Sequence, residues 1–221
     1  MAGGASRAKS SKTKKGRAAD VAASTLAQPA RKSRRREGDV IEAAAKVFYA
    51  KGYADATVQD IADELGILKG SLYHYVDTKE DLLFQLIEQV HSEVQRILDE
   101  IQAEEDLKPL ERVALYVRRQ VEYNLDNLQR ISIYYQDLES LTGARLEKII
   151  RSRKVHEKYL TDLIAEAQAA GEADTDGDPR LLAYCIFGTI IWPYRWFKPG
   201  KSSRKATVEV CVNYALSGVI G

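Results

Sequence analysis

From residue 38 onward, apolar side chains return at three- and four-residue steps, and strand-like alternation is absent. That period belongs to amphipathic helices, each with one face turned to a core. Residues 38–51 put Ile41, Ala44, Ala45 and Phe48 on one face and stop at Gly52. Thr57 then stands as N-cap of a short helix whose apolar set is Val58, Ile61, Ala62 and Leu65, and Gly66 ends it. A third short helix is expected over about 68–75. Thr78 caps a long helix to about 102, with Asp81 in the position of a capping-box acid. Pro109 suits the first turn of a helix to about 127; a shorter one follows at 131–140, and a long amphipathic one at 144–170 stops at Gly171. Asp178-Pro179 opens an uncharged helix to about 197, terminated by Pro199-Gly200. Ser203 caps the last helix, with Val208, Val212, Ala215 and Leu216 on its apolar face. The expectation is an all-α chain of nine helices, three short ones at the front and longer ones after.

Two short helices joined at Gly66-Ile67 must cross steeply and share a small core, the arrangement of a helix-turn-helix. On a helical wheel, Leu68, Leu72 and Tyr75 or Val76 continue the apolar face begun by Ile61 and Leu65. Lys69 with Tyr73, and Gly70 with His74, form two pairs on the outer surface. A face of Lys, Gly, Ser, Tyr and His suits phosphates and base edges. Gly70 costs about 1 kcal/mol inside a helix relative to Ala, and one reason to keep it is close approach of another backbone. The competing reading packs Tyr73 and His74 in the core.

Other chemistries fit less well. A phosphate loop needs G-x-x-x-x-G-K-[ST] after a strand, whereas Lys69 precedes Gly70 and follows a helix. The three histidines, His74, His91 and His156, lie far apart in sequence without metal-ligand spacing. No nucleophile–base pair stands out, so no enzyme activity, metal or cofactor is expected. Cys185 and Cys211, in apolar stretches without C-x-x-C spacing, read as buried free thiols of a reducing cytoplasm. The longest uncharged run, 181–194, is fourteen residues, short of the roughly 20 that a membrane span needs, so no membrane partner is expected.

A net charge of +1 conceals a sharp division. Residues 1–36 hold eleven Lys/Arg against Asp20, leaving 22 basic and 31 acidic residues in 37–221. The tail is a basic arm without the composition for a core, either a solubilising extension or an arm drawn to a polyanion. Residues 37–85 are acidic, with four Lys (46, 51, 69 and 79) against ten acids. Arg34, Arg35 and Arg36, at the start of the first helix, are the candidates to supply the missing positive charge to DNA.

The stretch "ATVQDIADELGILKGSLYHYVDTKEDLL" resembles the DNA-binding segment of TetR-family transcriptional repressors, most closely in K-G-S-L-Y-H-Y followed by T-K-E-D-L. Val76 stands where family members often have Phe. The resemblance implies a TetR-like architecture: a disordered basic arm over 1–36, a helix-turn-helix domain over 37–85, and a ligand-binding and dimerisation domain over 86–221. It also implies a homodimer on a palindromic double-stranded operator, released by a small-molecule effector. Carried over by position, Lys69, Gly70, Ser71, Tyr73 and His74 would contact DNA, and Thr57 and Lys79 would hold phosphates. Within the body, "IYYQDLESL" and "IIWPYRWFKPGK" resemble stretches of the TetR-like subset that includes sensors of acyl-CoA thioesters. That likeness makes Tyr135, Gln136, Trp192 and Arg195 the pocket candidates, for an acyl-CoA thioester or for some other small, largely apolar effector. Plain core for Trp192, a kink at Pro193 and interface anchoring by Trp196 and Phe197 are the competing readings. The alternative function is a helical interaction module whose helix-turn-helix does not read DNA.

Overall fold

The computed structural model describes residues 36–220; the basic arm, with Arg34 and Arg35, lies outside the described residues. The described chain is all helical: α1 (36–51), α2 (Val58–Glu64), α3 (Lys69–Leu72), α4 (Lys79–Gln102), α5 (Pro109–Asp126), α6 (Leu128–Asp137), α7 (Gly143–Ala169), α8 (Pro179–Ile191), α9 (Pro193–Trp196) and α10 (Arg204–Ile220). A 3-10 turn, Leu138–Ser140, follows α6. Counting α9 as the kinked end of α8 leaves the nine helices that the periodicity predicts.

Local chemistry sets the ends. Gly52 leaves α1 at a φ of 79°, and its N–H bonds the Phe48 carbonyl at 2.9 Å. Gly66 leaves α2 at 65°, where Ile67 N–H reaches Ala62 O and Gly66 N–H reaches Asp63 O, both at 3.0 Å. Thr57 and Thr78 each close a capping box, with Asp60 and Asp81 as the returning acids. Each cap stabilises its helix by about 1 kcal/mol.

α3 is shorter than the expected 68–75. After Leu72 the chain tightens, with Tyr75 N–H bonding Leu72 O at 2.9 Å and His74 N–H bonding Ser71 O at 3.4 Å, an i→i+3 pattern. The wheel also misplaces Leu68. It is the extended N-cap of α3 and 80% exposed, and Ile67 packs on the core in its stead. Leu72 and Val76 are buried and Tyr75 packs against them, as the pattern requires. The break between α8 and α9 falls at Pro193, which has no N–H to continue the ladder. The turn it makes carries Phe197 into the body core and leaves Trp192 and Trp196 exposed.

Two large hydrophobic clusters and a small third one of Val90, Val94 and Ile131 hold the described chain, and α4 is common to all three. Its first half gives Leu82, Leu83, Leu86 and Ile87 to a core with α1–α3, which Ile133, Leu141 and Ile149 complete from the other side. Its second half gives Leu98 and Ile101 to a core with α5, α7, α8 and α10, where Cys211 is buried as expected, whereas Cys185 lies on the exposed face of α8 and not in the core. Full burial of each such side chain stabilises by about 1.5–3 kcal/mol. At 1.5 Å per residue α4 is about 36 Å long, so one rod runs from the helix-turn-helix into the body. The expected division at 85/86 therefore falls inside a continuous helix.

Polar links reinforce the same junction. Arg145 of α7 pairs with Glu80 at 3.3 Å and with Asp81, both in the first turn of α4. Glu80 also accepts from Thr142 N–H at 2.9 Å, at the N-terminus of α7. Lys148 pairs with Glu88, and Arg130 of α6 joins Glu42 of α1 to Glu93 of α4. Among the described residues no helix is long and apolar enough to cross a membrane.

Candidate nucleic-acid interface and effector cavity

The outer face of α3 and the turn after it presents the side chains that the sequence singles out. Lys69, Gly70 and His74 are exposed, Tyr73 is 45% exposed, and Ser71 is half-buried. Lys69 Nζ lies 6.0 Å from the centre of the Tyr73 ring, so charge and ring sit side by side. A Cβ on Gly70 would meet no protein atom within 4 Å, so the surface there is open. Arg36, the one arm arginine among the described residues, is exposed in the first turn of α1.

Thr57 and Lys79 sit differently. The Thr57 hydroxyl donates to Asp60 Oδ2 at 2.8 Å and accepts from Asp60 N–H at 3.1 Å, so its proton is already committed to the cap. Lys51 at 2.7 Å, aided by the Thr57 N–H at 2.9 Å and the Thr57 hydroxyl, which both donate to Oδ2, holds the Asp60 carboxyl down to about 2. A carboxylate at that point opposes a phosphate. Lys79 Nζ donates to the carbonyls of Tyr53 at 2.7 Å and of Ala54 and Ala56 at 3.0 Å, and lies 4.4 Å from the Tyr53 ring centre. An ammonium has three donors. All three therefore tie the α1–α2 loop to α4, and Lys79 acts as a strut in place of the phosphate contact expected of it.

The acidity of this region also has a structural use. Glu42, Asp60, Glu64, Glu80 and Asp81 are paired with Arg130, Lys51, Lys46 and, for the last two, Arg145. Three of these five acids, Glu42, Glu80 and Asp81, pair with cations of the body.

A cavity of about 170 Å³ opens in the body between α4, α5, α6, α7 and α8. Val90, Val94, Ile131 and Ile190 form apolar wall, and Tyr116, Tyr134, Tyr135 and Phe187 bring rings. Tyr135 stacks on Tyr194 at 5.8 Å. His91 and His156 approach to 5.1 Å between ring centres, and the Tyr134 hydroxyl lies 3.2 Å from His91 Nε2. Burial, with His156 and Arg153 beside it, holds the His91 imidazole down to about 4, and burial does the same to His156. Burial pushes the Tyr134 phenol up to about 12. At neutral pH these walls are uncharged apart from Arg153 and Glu157.

Of the four pocket candidates from the sequence, Tyr135 lines this cavity. Gln136 and Arg195 are exposed, Trp192 is 62% exposed, and none of the three reaches it. The break at Pro193 sends that part of the chain along the outside. The residues that sequence reasoning missed are His91, Gln120, Asn124, Arg153 and His156. One signal could have found two of them: Tyr116, Gln120 and Asn124 recur every four residues among Val113, Val117, Val121 and Leu125, so polar groups run along a buried face.

Comparison with known proteins agrees with this geometry. Residues 40–86 match the model of bacterial regulatory proteins of the tetR family, and residues 106–219 match that of the tetracyclin repressor-like C-terminal domain. The HTH-type transcriptional repressor KstR2 of Mycolicibacterium smegmatis is 31% identical over 185 residues, covering 81% of this chain and 86% of the relative. The structure of the ketosteroid transcriptional regulator KstR2 of Mycobacterium tuberculosis superposes with a TM-score of 0.77 at 27% identity, over 84% of this chain and 95% of that one. AibR in complex with isovaleryl coenzyme A and operator DNA superposes with a TM-score of 0.74 at 25% identity, over 81% and 97%. With both halves matched and the helix-turn-helix in place, the chain belongs to the TetR family of transcriptional repressors.

Proposed function

We propose that this repressor works as a homodimer on a palindromic operator in the cytoplasm and is released when a small molecule fills the body cavity. The observation that carries the reading is the double membership of α4. One helix supplies Val90, His91 and Val94 to the cavity and Leu82, Leu83 and Leu86 to the helix-turn-helix core. A ligand that prefers one position of α4 therefore biases the position of the reading head. Lys69, Gly70, Ser71, Tyr73 and His74 are the DNA contacts in this reading, with Arg34, Arg35 and Arg36 adding charge from the arm.

The homodimer is supported by an apolar surface on α8 and α10, where Leu181, Tyr184, Val210 and Tyr214 are all exposed. Large apolar groups gathered on two neighbouring helices fit a self-complementary interface. An acyl-CoA thioester is the leading effector candidate. The cavity is close in size to one that holds a single benzene ring, enough for a short acyl group. Arg153 in its wall gives an anion a partner, and AibR, similar over most of this chain, is recorded with isovaleryl coenzyme A. The test is a gel shift on DNA upstream of the chain's own gene, with and without a panel of acyl-CoA thioesters. Salt-sensitive, sequence-dependent binding that a thioester reverses supports the reading. Binding unaffected by every thioester removes that effector class.

A further inference from the structure

Three residues that line the cavity each carry a buried polar atom with no hydrogen-bond partner among the described residues: Tyr116 Oη, Gln120 Oε1 and His91 Nδ1. These residues are no more than 8% exposed. Folded proteins rarely strand one such atom, and three in one cavity point to something that fills it. Tyr116 and Gln120 are one turn apart on α5, where side chains stand about 5–6 Å apart at Cβ, so a single group can lie between them. Asn124 continues the stripe and is anchored by its amide, which donates to Ile190 O at 3.0 Å.

The donor–acceptor inventory narrows what that group is. Gln120 Oε1 only accepts, so an alkyl end, a ketone or an ester carbonyl leaves it stranded. A hydroxyl donates to it and at the same time accepts from the Tyr116 phenol. Exchanging the oxygen and nitrogen of the Gln120 amide turns the acceptor into a donor, which a carbonyl or a hydroxyl satisfies and an alkyl end does not; a hydroxyl is the group that serves both orientations. We infer that the buried end of the effector carries a hydroxyl group, held between Gln120 and Tyr116 in an otherwise apolar and ring-lined chamber. The inference rests on the cavity being the effector site and is independent of the thioester.

Phenol and toluene, equal in shape and different in that one group, test it on the full-length protein by calorimetry or ligand-observed NMR. Phenol is expected to bind roughly tenfold tighter than toluene, the ratio for one net hydrogen bond. Gln120→Leu should erase or invert that preference and Tyr116→Phe should narrow it, with circular dichroism of both variants unchanged. Equal or tighter binding of toluene by the wild type, or entry of neither fragment, overturns the inference and assigns the three atoms to ordered water. A phenol preference in a protein that no thioester releases from DNA keeps the hydroxyl subsite and removes the thioester. Release by a plain alkyl thioester with no phenol preference does the reverse.

Discussion

Lys69 and Lys79 show how two lysines ten positions apart come to do different work. Lys69 is exposed beside Tyr73, whereas every donor of Lys79 is bonded to a loop carbonyl. Each phosphate contact contributes about 0.9 to the slope of log affinity against log salt. Lys69→Met, present in both protomers of the dimer, should therefore lower that slope by about 2 in anisotropy titrations of operator DNA, and Lys79→Met should leave it unchanged. Lys79→Met should instead destabilise the fold by about 1–3 kcal/mol in urea titrations, because three carbonyls lose a charged donor. A reduced slope for Lys79→Met would restore it as a phosphate contact. Tyr73→Ala should abolish operator binding with thermal stability nearly unchanged, since the ring is 45% exposed; a large drop in melting temperature would place the ring in the core. The residue scale also holds a pH signature. His91 and His156 are held down to about 4, below the ordinary value of about 6.5. The unfolded chain thus takes up these protons first, and the stability they contribute is complete above about pH 6.5 and lost as the pH falls through 4. Urea midpoints measured from pH 7 to 4 should fall accordingly, and His91→Gln with His156→Gln should flatten that fall.

Among the elements, those whose ends are set by local chemistry were legible in the sequence. Thr57, Thr78, Pro109 and Asp178 mark helix starts, and Gly52, Gly66 and Gly171 mark stops, because caps and left-handed turns depend on residues a few positions away. What escaped depends on distant contacts. Leu68 reads as core on any wheel, but α3 begins one residue later and Ile67 takes the inward place. Nothing near Lys79 in sequence announces the carbonyls of Tyr53, Ala54 and Ala56 that hold it. The exposed face of α3 was legible because it is local; the cavity was hardly so, since five helices meet there and only Tyr135 and the α5 stripe left a mark. The junction of α4 with α7 yields a prediction of its own. Arg145 holds Glu80 and Asp81 at the first turn of α4. Arg145→Ala should leave effector binding in the cavity nearly unchanged, as measured by calorimetry, yet weaken effector-induced release of DNA severalfold. Full release in that variant would show that the apolar core alone transmits the shift.

For the whole molecule, charge and shape are distributed by task. Three acids of the helix-turn-helix, Glu42, Glu80 and Asp81, meet cations of the body and glue the two together, so part of the acidity unfavourable for a DNA reader is taken up by pairs across the junction. In the proposed dimer the exposed apolar residues of α8 and α10 would meet the second copy, and α4 links the cavity to the helix-turn-helix core within each chain. The central claim is that filling the cavity lowers affinity for the operator. Fluorescence anisotropy of labelled upstream DNA, titrated with protein at fixed salt with and without a ligand shown by calorimetry to bind, tests it most directly. The account predicts sequence-specific binding that the ligand weakens at least about tenfold, a coupling of about 1.4 kcal/mol or more. Operator affinity that stays the same with the cavity saturated would contradict it.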